Sequence, residues 1–290
     1  PLSMLKFAEI AEANGLPRGV LNVVPGDGRD AGARLASHPD VAKIAFTGST
    51  QIGREIMKLA SGTVKEVTLE LGGKGPSIVL DDADLDMAVD GVLYGCFTYS
   101  GQICESGTRA IVPRELHDEF VSRLIERART IVVGAPDDWD TDMGPVIDAK
   151  QQARILSYID GAKAEGATVA LGGGKPAGID RGFYVEPTIL ADVENSMTVA
   201  REEIFGPVLS VIAYDTEDEA VAIANDSEYG LAASVWTRDN ARGLAVADAV
   251  QCGSVWINDA HQINAQVPFG GYKQSGIGRE LGPDALDEYT

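Results

Sequence analysis

Apolar and polar positions along this chain switch repeatedly between a helical period and short unbroken apolar runs. Residues 2–14 carry apolar side chains at helical spacing and stop at Gly15, a helix-ending signal, just before Pro17. The run 20–24 is short, apolar and closed by Pro25-Gly26, which predicts a buried strand. A helix over 30–37, a strand over 41–46, a helix over 50–60 and a strand over 64–71 follow. The order β-α-β-α-β is the repeat of a parallel sheet with crossover helices. From Pro76 onward longer helices are predicted over 84–98, 115–130 and 149–165, implying a second α/β unit. The stretch 171–181, with four glycines and a proline, reads as a loop and lacks the residue order of a phosphate-binding loop. Strands over 207–214, 232–237 and 253–258 then alternate with helices over 217–225 and 240–250. The glycine-rich segment 268–282 follows.

Composition narrows the class. With 290 residues, 44% hydrophobic and 23% charged, the chain can bury one large or two linked cores. No run of eighteen apolar residues occurs, and the first ten residues lack the order of a secretory signal, so a cytoplasmic location is expected. The three cysteines, Cys96, Cys104 and Cys252, fall into no metal-ligand spacing and read as reduced thiols. A formal net charge of −20 repels polyanions, which argues against nucleic acid and anionic membranes as partners and suits a small neutral or cationic ligand.

Three segments carry candidate chemistry. Phe46-Thr-Gly-Ser-Thr-Gln-Ile-Gly53 follows a strand and opens a helix, so its backbone N–H groups suit an anion such as a pyrophosphate. An ordinary β-α turn with a good N-cap fits the same pattern. Val67-Thr-Leu-Glu-Leu-Gly-Gly-Lys74 puts Glu70 at the end of an apolar strand before a Gly-Gly turn, where desolvation raises a carboxyl pKa towards the range of a general base. A solvent-facing glutamate is the alternative. In Tyr99-Ser-Gly-Gln-Ile-Cys104 a thiol follows a helix and a Ser-Gly break, a setting for a nucleophile beside backbone donors, although a lone cysteine is more often a packed residue. Asp82-Ala-Asp-Leu-Asp86 imitates a calcium loop, but Met87 stands where the turn needs Gly and Leu93 where it needs Glu. His38, His117 and His261 are far apart, so no metal is expected.

Taken together these segments resemble the aldehyde dehydrogenase superfamily, whose motif order reappears as Phe46-Thr-Gly-Ser-Thr, Leu69-Glu-Leu-Gly-Gly-Lys74, Gly101-Gln-Ile-Cys104, Glu203-Ile-Phe-Gly-Pro207 and Pro268-Phe-Gly-Gly-Tyr-Lys-Gln-Ser-Gly276. The resemblance implies an α/β fold with a partial Rossmann-like parallel sheet and a second α/β catalytic domain. Residues 1–73 would be the second half of an NAD(P)-binding domain, 74–274 the catalytic domain, and 275–290 a return segment towards the cofactor domain. It implies oxidation of an aldehyde to a carboxylic acid with NAD or NADP as hydride acceptor. Cys104 would attack the aldehyde, Glu70 would activate the hydrolytic water, and Glu280 would support Glu70. Gly48, Ser49 and Gly53 would serve the pyrophosphate, Leu71 the nicotinamide amide, Glu203 its ribose, with Phe205 and Arg154 nearby. Asn258 would order the substrate pocket, and a homo-oligomer is expected for the full-length protein.

The chain departs from the family pattern at Gly75 and after the nucleophile, where Glu105 and Ser106 replace small or aliphatic residues. If Glu105 lines the pocket, its charge disfavours a thiolate at Cys104 and attracts a cationic aldehyde; alternatively it points away from the cleft. The family's upstream strands, with an oxyanion-hole amide, a ribose-contacting lysine and the acid that selects NAD or NADP, are not in this sequence, nor is the last strand beyond Thr290. The expectation is therefore a fragment of reduced or no activity by itself. Two rival functions stay open: a coenzyme-A-acylating dehydrogenase, against which Glu70 speaks, and a non-catalytic nucleotide-binding remnant.

Overall fold

A computed structural model describes residues 1–290, the side chain of Asp284 excepted. By internal contacts the chain divides into two units, Pro1–Phe46 with Gln51–Thr68, and Thr47–Thr50 with Leu69–Thr290.

In the first unit lie α1 (Leu2–Ala13), α2 (Ala33–Ser37), β1 (Lys43–Thr47, whose last residue belongs to the second unit), α3 (Thr50–Ala60) and the start of β2 (Glu66–Glu70). Along α3 the apolar positions keep to one stripe, and Gly53 and Ala60 are its buried residues. The strand expected over 20–24 does not form. Val20 and Val24 are both 66% exposed and the segment is irregular, because an apolar run becomes a strand only when a neighbouring backbone takes up its N–H and C=O groups. The helix expected over 30–37 opens with a wide turn at Gly28–Gly32, capped by the Asp27 carboxylate, which accepts from the Arg29 N–H at 2.8 Å.

The second unit is built on a seven-stranded sheet. Its elements are β3 (Pro76–Val79), α4 (Leu85–Phe97), β4 (Arg109–Pro113), α5 (His117–Ala128), α6 (Ala149–Glu165), β5 (Thr168–Leu171), β6 (Thr188–Ala191), α7 (Thr198–Arg201), β7 (Val208–Tyr214), α8 (Glu217–Asn225), β8 (Tyr229–Gly230), β9 (Ala232–Trp236), α9 (Asn240–Ala249), β10 (Ser254–Ile257), β11 (Tyr272–Lys273) and β12 (Gly276–Ile277). The sheet order is β10-β9-β3-β4-β7-β6-β5, parallel except for the antiparallel edge strand β5. The expected α/β architecture is thus present.

Both faces of this sheet are covered, so its central strands are apolar on consecutive residues and show no alternation. Val79, Ala110, Val112, Leu209 and Val211 pack against α4 and α5 through Val92, Phe97, Phe120 and Leu124. Their neighbours Ile78, Ile111 and Val235 face α8 and α9, and Leu190 and Val208 face α6 through Ile155 and Ile159. Three strands of four or five residues, β3, β4 and β6, escape a reading by period for this reason. Helix starts are fixed by side-chain caps: Asp84 accepts from Met87 N–H, Asp148 from Gln151 N–H, Thr216 from Glu219 N–H and Asp239 from Ala241 N–H. Asp84, one of the acids of the apparent calcium loop, is therefore a helix cap, and Asp82 accepts from the Thr237 hydroxyl at 2.7 Å.

One buried cation ties the sheet to the loop that follows β2. Arg109 is fully buried at the start of β4. Its Nε donates to the Lys74 carbonyl, and its terminal nitrogens donate to Asn195 Oδ1 and to the carbonyls of Ile223 and Ala224 in the last turn of α8. A cation there satisfies carbonyls that a helix end leaves open. Arg109→Met should leave several buried acceptors without donors and lower stability by on the order of 3 kcal/mol, read as a fall in the urea midpoint; an unchanged midpoint would show that these carbonyls find other partners.

Candidate active site

The chain reverses direction between α4 and Cys104 through three consecutive residues in left-handed conformation, Tyr99 (φ 50°), Ser100 (φ 59°) and Gly101 (φ 68°). For Tyr99 and Ser100 that conformation is costly, and tertiary contacts hold it: the buried Ser100 hydroxyl donates to the Gly144 carbonyl at 2.8 Å. The reversal brings Gln102, Ile103 and Cys104 to the wall of a cleft of 490 Å³. The same wall is formed by Thr47, Gly48, Ser49, Leu71 and Gly72 on one side, and by Gln151, Arg154, Glu203 and Phe205 on the other. All of these residues belong to the second unit. A hollow of 570 Å³ lined by Leu93, Phe97, Arg127 and Asp142 contains no thiol.

The Gly72–Gly73 turn determines how close the parts stand. A Cβ at Gly72 would collide with the Glu203 carboxylate, and a Cβ at Gly73 with the Cys104 carbonyl oxygen. Gly73 N–H donates to Glu203 Oε1 at 3.1 Å. The turn is pinned from behind by Ser275, fully buried, whose hydroxyl donates to the Gly72 carbonyl at 2.7 Å and whose own carbonyl accepts from Leu71 N–H at 2.8 Å. Gly276 and Ile277 of β12 pair antiparallel with Glu70 and Leu69, and Gly48 N–H donates to the Glu70 carbonyl at 3.0 Å.

Glu70 is 4% exposed, and neither of its carboxylate oxygens is hydrogen-bonded to another protein group. Burial, followed by the like charge of Glu280, pushes its pKa up to about 7; Arg279 opposes the rise and Glu105 adds to it. Glu280 thus acts on Glu70 through its charge, while its backbone pairs with Phe269. Cys104 is half-buried, with Sγ 3.3 Å from Glu105 Oε2. Burial pushes the thiol up to about 12, and the charges of Glu105 and Glu203 act in the same direction. Burial also raises the pKa of Glu203, against the opposing Gly73 N–H, Lys74 and Arg154.

Arg154 reaches the cleft from α6, donates to the Glu203 carbonyl at 2.6 Å and lies over the Tyr158 ring. Phe205 is held at φ 60° and is 37% exposed. Glu70 and Glu280 are not among the residues lining this cleft, and neither are three further predicted residues. Gly53 is buried in α3, in the first unit. Asn258 spends its amide on the backbone of Thr237, accepting at 2.9 Å and donating at 2.8 Å, and is not on the cleft wall. Glu105 is 8% exposed, engaged by His261 and 3.3 Å from Cys104 Sγ, and is not among the residues lining this cleft.

Some contributors have no signature in the linear pattern. Gln151, on α6, donates to the carbonyls of Ile204 and Phe205 and so shapes the loop that carries Glu203. His261 lies 156 residues from the Glu105 it contacts. Ser275 does have one, since it stands inside the glycine-rich motif that runs from Pro268 to Gly276.

The chain matches the Aldehyde dehydrogenase family over residues 1–290. A betaine aldehyde dehydrogenase of Brucella melitensis is 52% identical over the whole chain, which spans 60% of that relative's length. Among solved structures, an NAD+ complex of aldehyde dehydrogenase from Bacillus cereus is 48% identical with a TM-score of 0.97, and the chain covers 59% of it. A betaine aldehyde dehydrogenase of Staphylococcus aureus in complex with NAD+ is 45% identical with a TM-score of 0.96, again with 59% of its chain covered. The chain therefore belongs to the aldehyde dehydrogenase family.

Proposed function

We propose that the protein oxidises an aldehyde to a carboxylic acid with NAD or NADP as hydride acceptor. The observation that carries this reading is the grouping in one cleft of a half-buried thiol, a glycine turn and the Glu203 carboxylate, with Glu70 on the strand that leads into the turn. Residues 1–73 are read as part of the cofactor domain, 74–274 as the catalytic domain and 275–290 as a return segment.

The residues present suit a dinucleotide. A carboxylate accepts several hydrogen bonds, so Glu203, with one oxygen on Gly73 N–H, has capacity left for ribose hydroxyls. Gly48 and Ser49 directly precede α3, whose open N-terminal N–H groups favour a pyrophosphate, and the missing side chain at Gly72 lets the Glu203 carboxylate stand close to the turn. Leu71 borders the same space, with Phe205 and Arg154 opposite. When bound, the cofactor supplies the hydride acceptor.

Cys104 Sγ adds to the aldehyde carbon while its S–H proton passes to the carbonyl oxygen, forming a thiohemiacetal, a carbon centre that can release hydride where the free aldehyde cannot. Loss of hydride from that carbon and of the hydroxyl proton to water leaves a thioester on Cys104. Glu70, with both oxygens clear of protein donors, takes a proton from water, and the hydroxide formed cleaves the thioester to carboxylate and thiol. A pKa of about 7 lets Glu70 both accept and release that proton near neutrality. A base for water has no task when coenzyme A is the acyl acceptor, so hydrolysis is the favoured outcome.

The relatives named betaine aldehyde dehydrogenase point to a small cationic aldehyde as substrate, consistent with a net charge of −20. A homo-oligomeric assembly in the cytoplasm completes the reading. No helix among the described residues is long and apolar enough to cross a membrane.

Cys104→Ala in the full-length protein should abolish aldehyde oxidation, measured as cofactor reduction; retained turnover would refute the assignment. Glu70→Gln should lower steady-state turnover by about 10²- to 10⁴-fold while leaving a first burst of reduced cofactor, because only thioester hydrolysis loses its base. Turnover should rise as pH increases through about 7, the point at which Glu70 loses its proton, and fall about tenfold per pH unit below it; this limb should be missing from the pH profile of Glu70→Gln.

A further inference from the structure

Directly after the proposed nucleophile comes a carboxylate in a place where an isolated charge is costly. Glu105 is 8% exposed, and its two oxygens face two different groups. Oε1 is 3.3 Å from Nδ1 of His261, and Oε2 is 3.3 Å from Sγ of Cys104. The His261 side chain is 7% exposed, with Nε2 3.1 Å from the carbonyl oxygen of Gly95 in α4.

These contacts determine where the protons are. A carbonyl oxygen only accepts, and an ionised carboxylate only accepts, so each ring nitrogen of His261 faces an acceptor and each carries a hydrogen. His261 and Glu105 thus form a buried hydrogen-bonded pair. Its ring stands edge-on to Tyr94 and Trp256, with centroids at 5.5 and 6.3 Å, and its backbone is held at φ 61°, an arrangement that neighbouring packing must enforce. With Oε1 anchored, Oε2 is directed at the sulfur. A thiol there donates its hydrogen to the carboxylate, whereas a thiolate would set negative charge against negative charge.

We propose that Glu105, oriented by His261, is a positioning residue that holds Cys104 as a neutral thiol, its S–H aimed at Oε2, in the resting protein. The guarded thiol resists adventitious electrophiles and oxidants, which attack the thiolate form. The other charges around the site do not reverse this. Glu203, across the cleft, also disfavours the thiolate; Lys74 and Arg154 act on Glu203, and Arg279, with Glu280, acts on Glu70. The hydrogen bond with His261 and the contact with Cys104 keep the Glu105 carboxyl below its ordinary pKa despite burial. The purpose assigned to the pair rests on the reading of Cys104 as nucleophile, but the protonation state does not.

The test is the rate of iodoacetamide alkylation of Cys104 in the purified protein, followed by mass spectrometry of its peptide from about pH 6 to about pH 11. The wild-type midpoint should lie well above the ~8.5 of free cysteine. Glu105→Gln, which keeps the size and removes the charge, should move the midpoint down and raise the rate at neutral pH by about tenfold for each pH unit that the midpoint falls. A wild-type midpoint at or below that of free cysteine overturns the proposal, as does an unmoved midpoint in a Glu105→Gln protein that unfolds at the wild-type temperature. Should that variant fail to fold, nitrogen-15 NMR of the wild-type protein decides: two protonated ring nitrogens on His261 at neutral pH support the pair, and a neutral ring overturns it. None of these measurements needs turnover, so a Cys104→Ala protein that still oxidises aldehydes would sink the nucleophile reading separately.

Discussion

The approach of the Gly72–Gly73 backbone to the Cys104 carbonyl and the Glu203 carboxylate is the constraint around which the rest of the site is arranged. Neither position has room for a side chain. Because the turn leaves the end of β2, every displacement of that strand would move Glu70, Leu71 and the cleft wall together. The molecule secures it with few but directional bonds: Ser275 from the glycine-rich segment, Gly73 N–H to Glu203, and Arg109 on the Lys74 carbonyl. The same groups are thus both structural and positioning, and the seven-stranded sheet serves as the rigid body to which they are anchored.

Two carboxylates, Glu105 and Glu203, act on the Cys104 sulfur, a third, Glu70, ends the strand that leads into the turn, and the three are held in different states. Glu105 is ionised against His261, Glu203 rests on a backbone N–H with its pKa raised by burial, and Glu70 stands near the middle of its titration at neutral pH. Identical functional groups acquire separate roles from desolvation and from neighbours. A thiol beside two acids is hard to ionise.

Much of the architecture follows from linear pattern. The helices over 149–165 and 217–225 are visible from their apolar stripe and from punctuation by Asp148, Gly166 and Thr216. The motif around Glu70 and the break before Cys104 are legible because glycine at particular places implies unusual backbone or close approach. The run over 20–24 misleads, since apolar character alone does not supply a hydrogen-bonding neighbour. The short strands β3, β4 and β6 are obscured because residues buried on both faces lose the alternation that marks a half-buried strand.

The sequence by itself determined the α/β alternation and the place of most helices, and it supplied the thiol and the carboxylates as candidates, because these depend on residues close together in the chain. Only the tertiary structure decided which of those groups meet. Glu105 finds His261 across 156 residues, Gly72 finds Ser275 across 203, and Asn258 turns its amide to Thr237 and away from the cleft. Charge state, burial and partner are properties of where distant segments come to lie, and no local spacing encodes them.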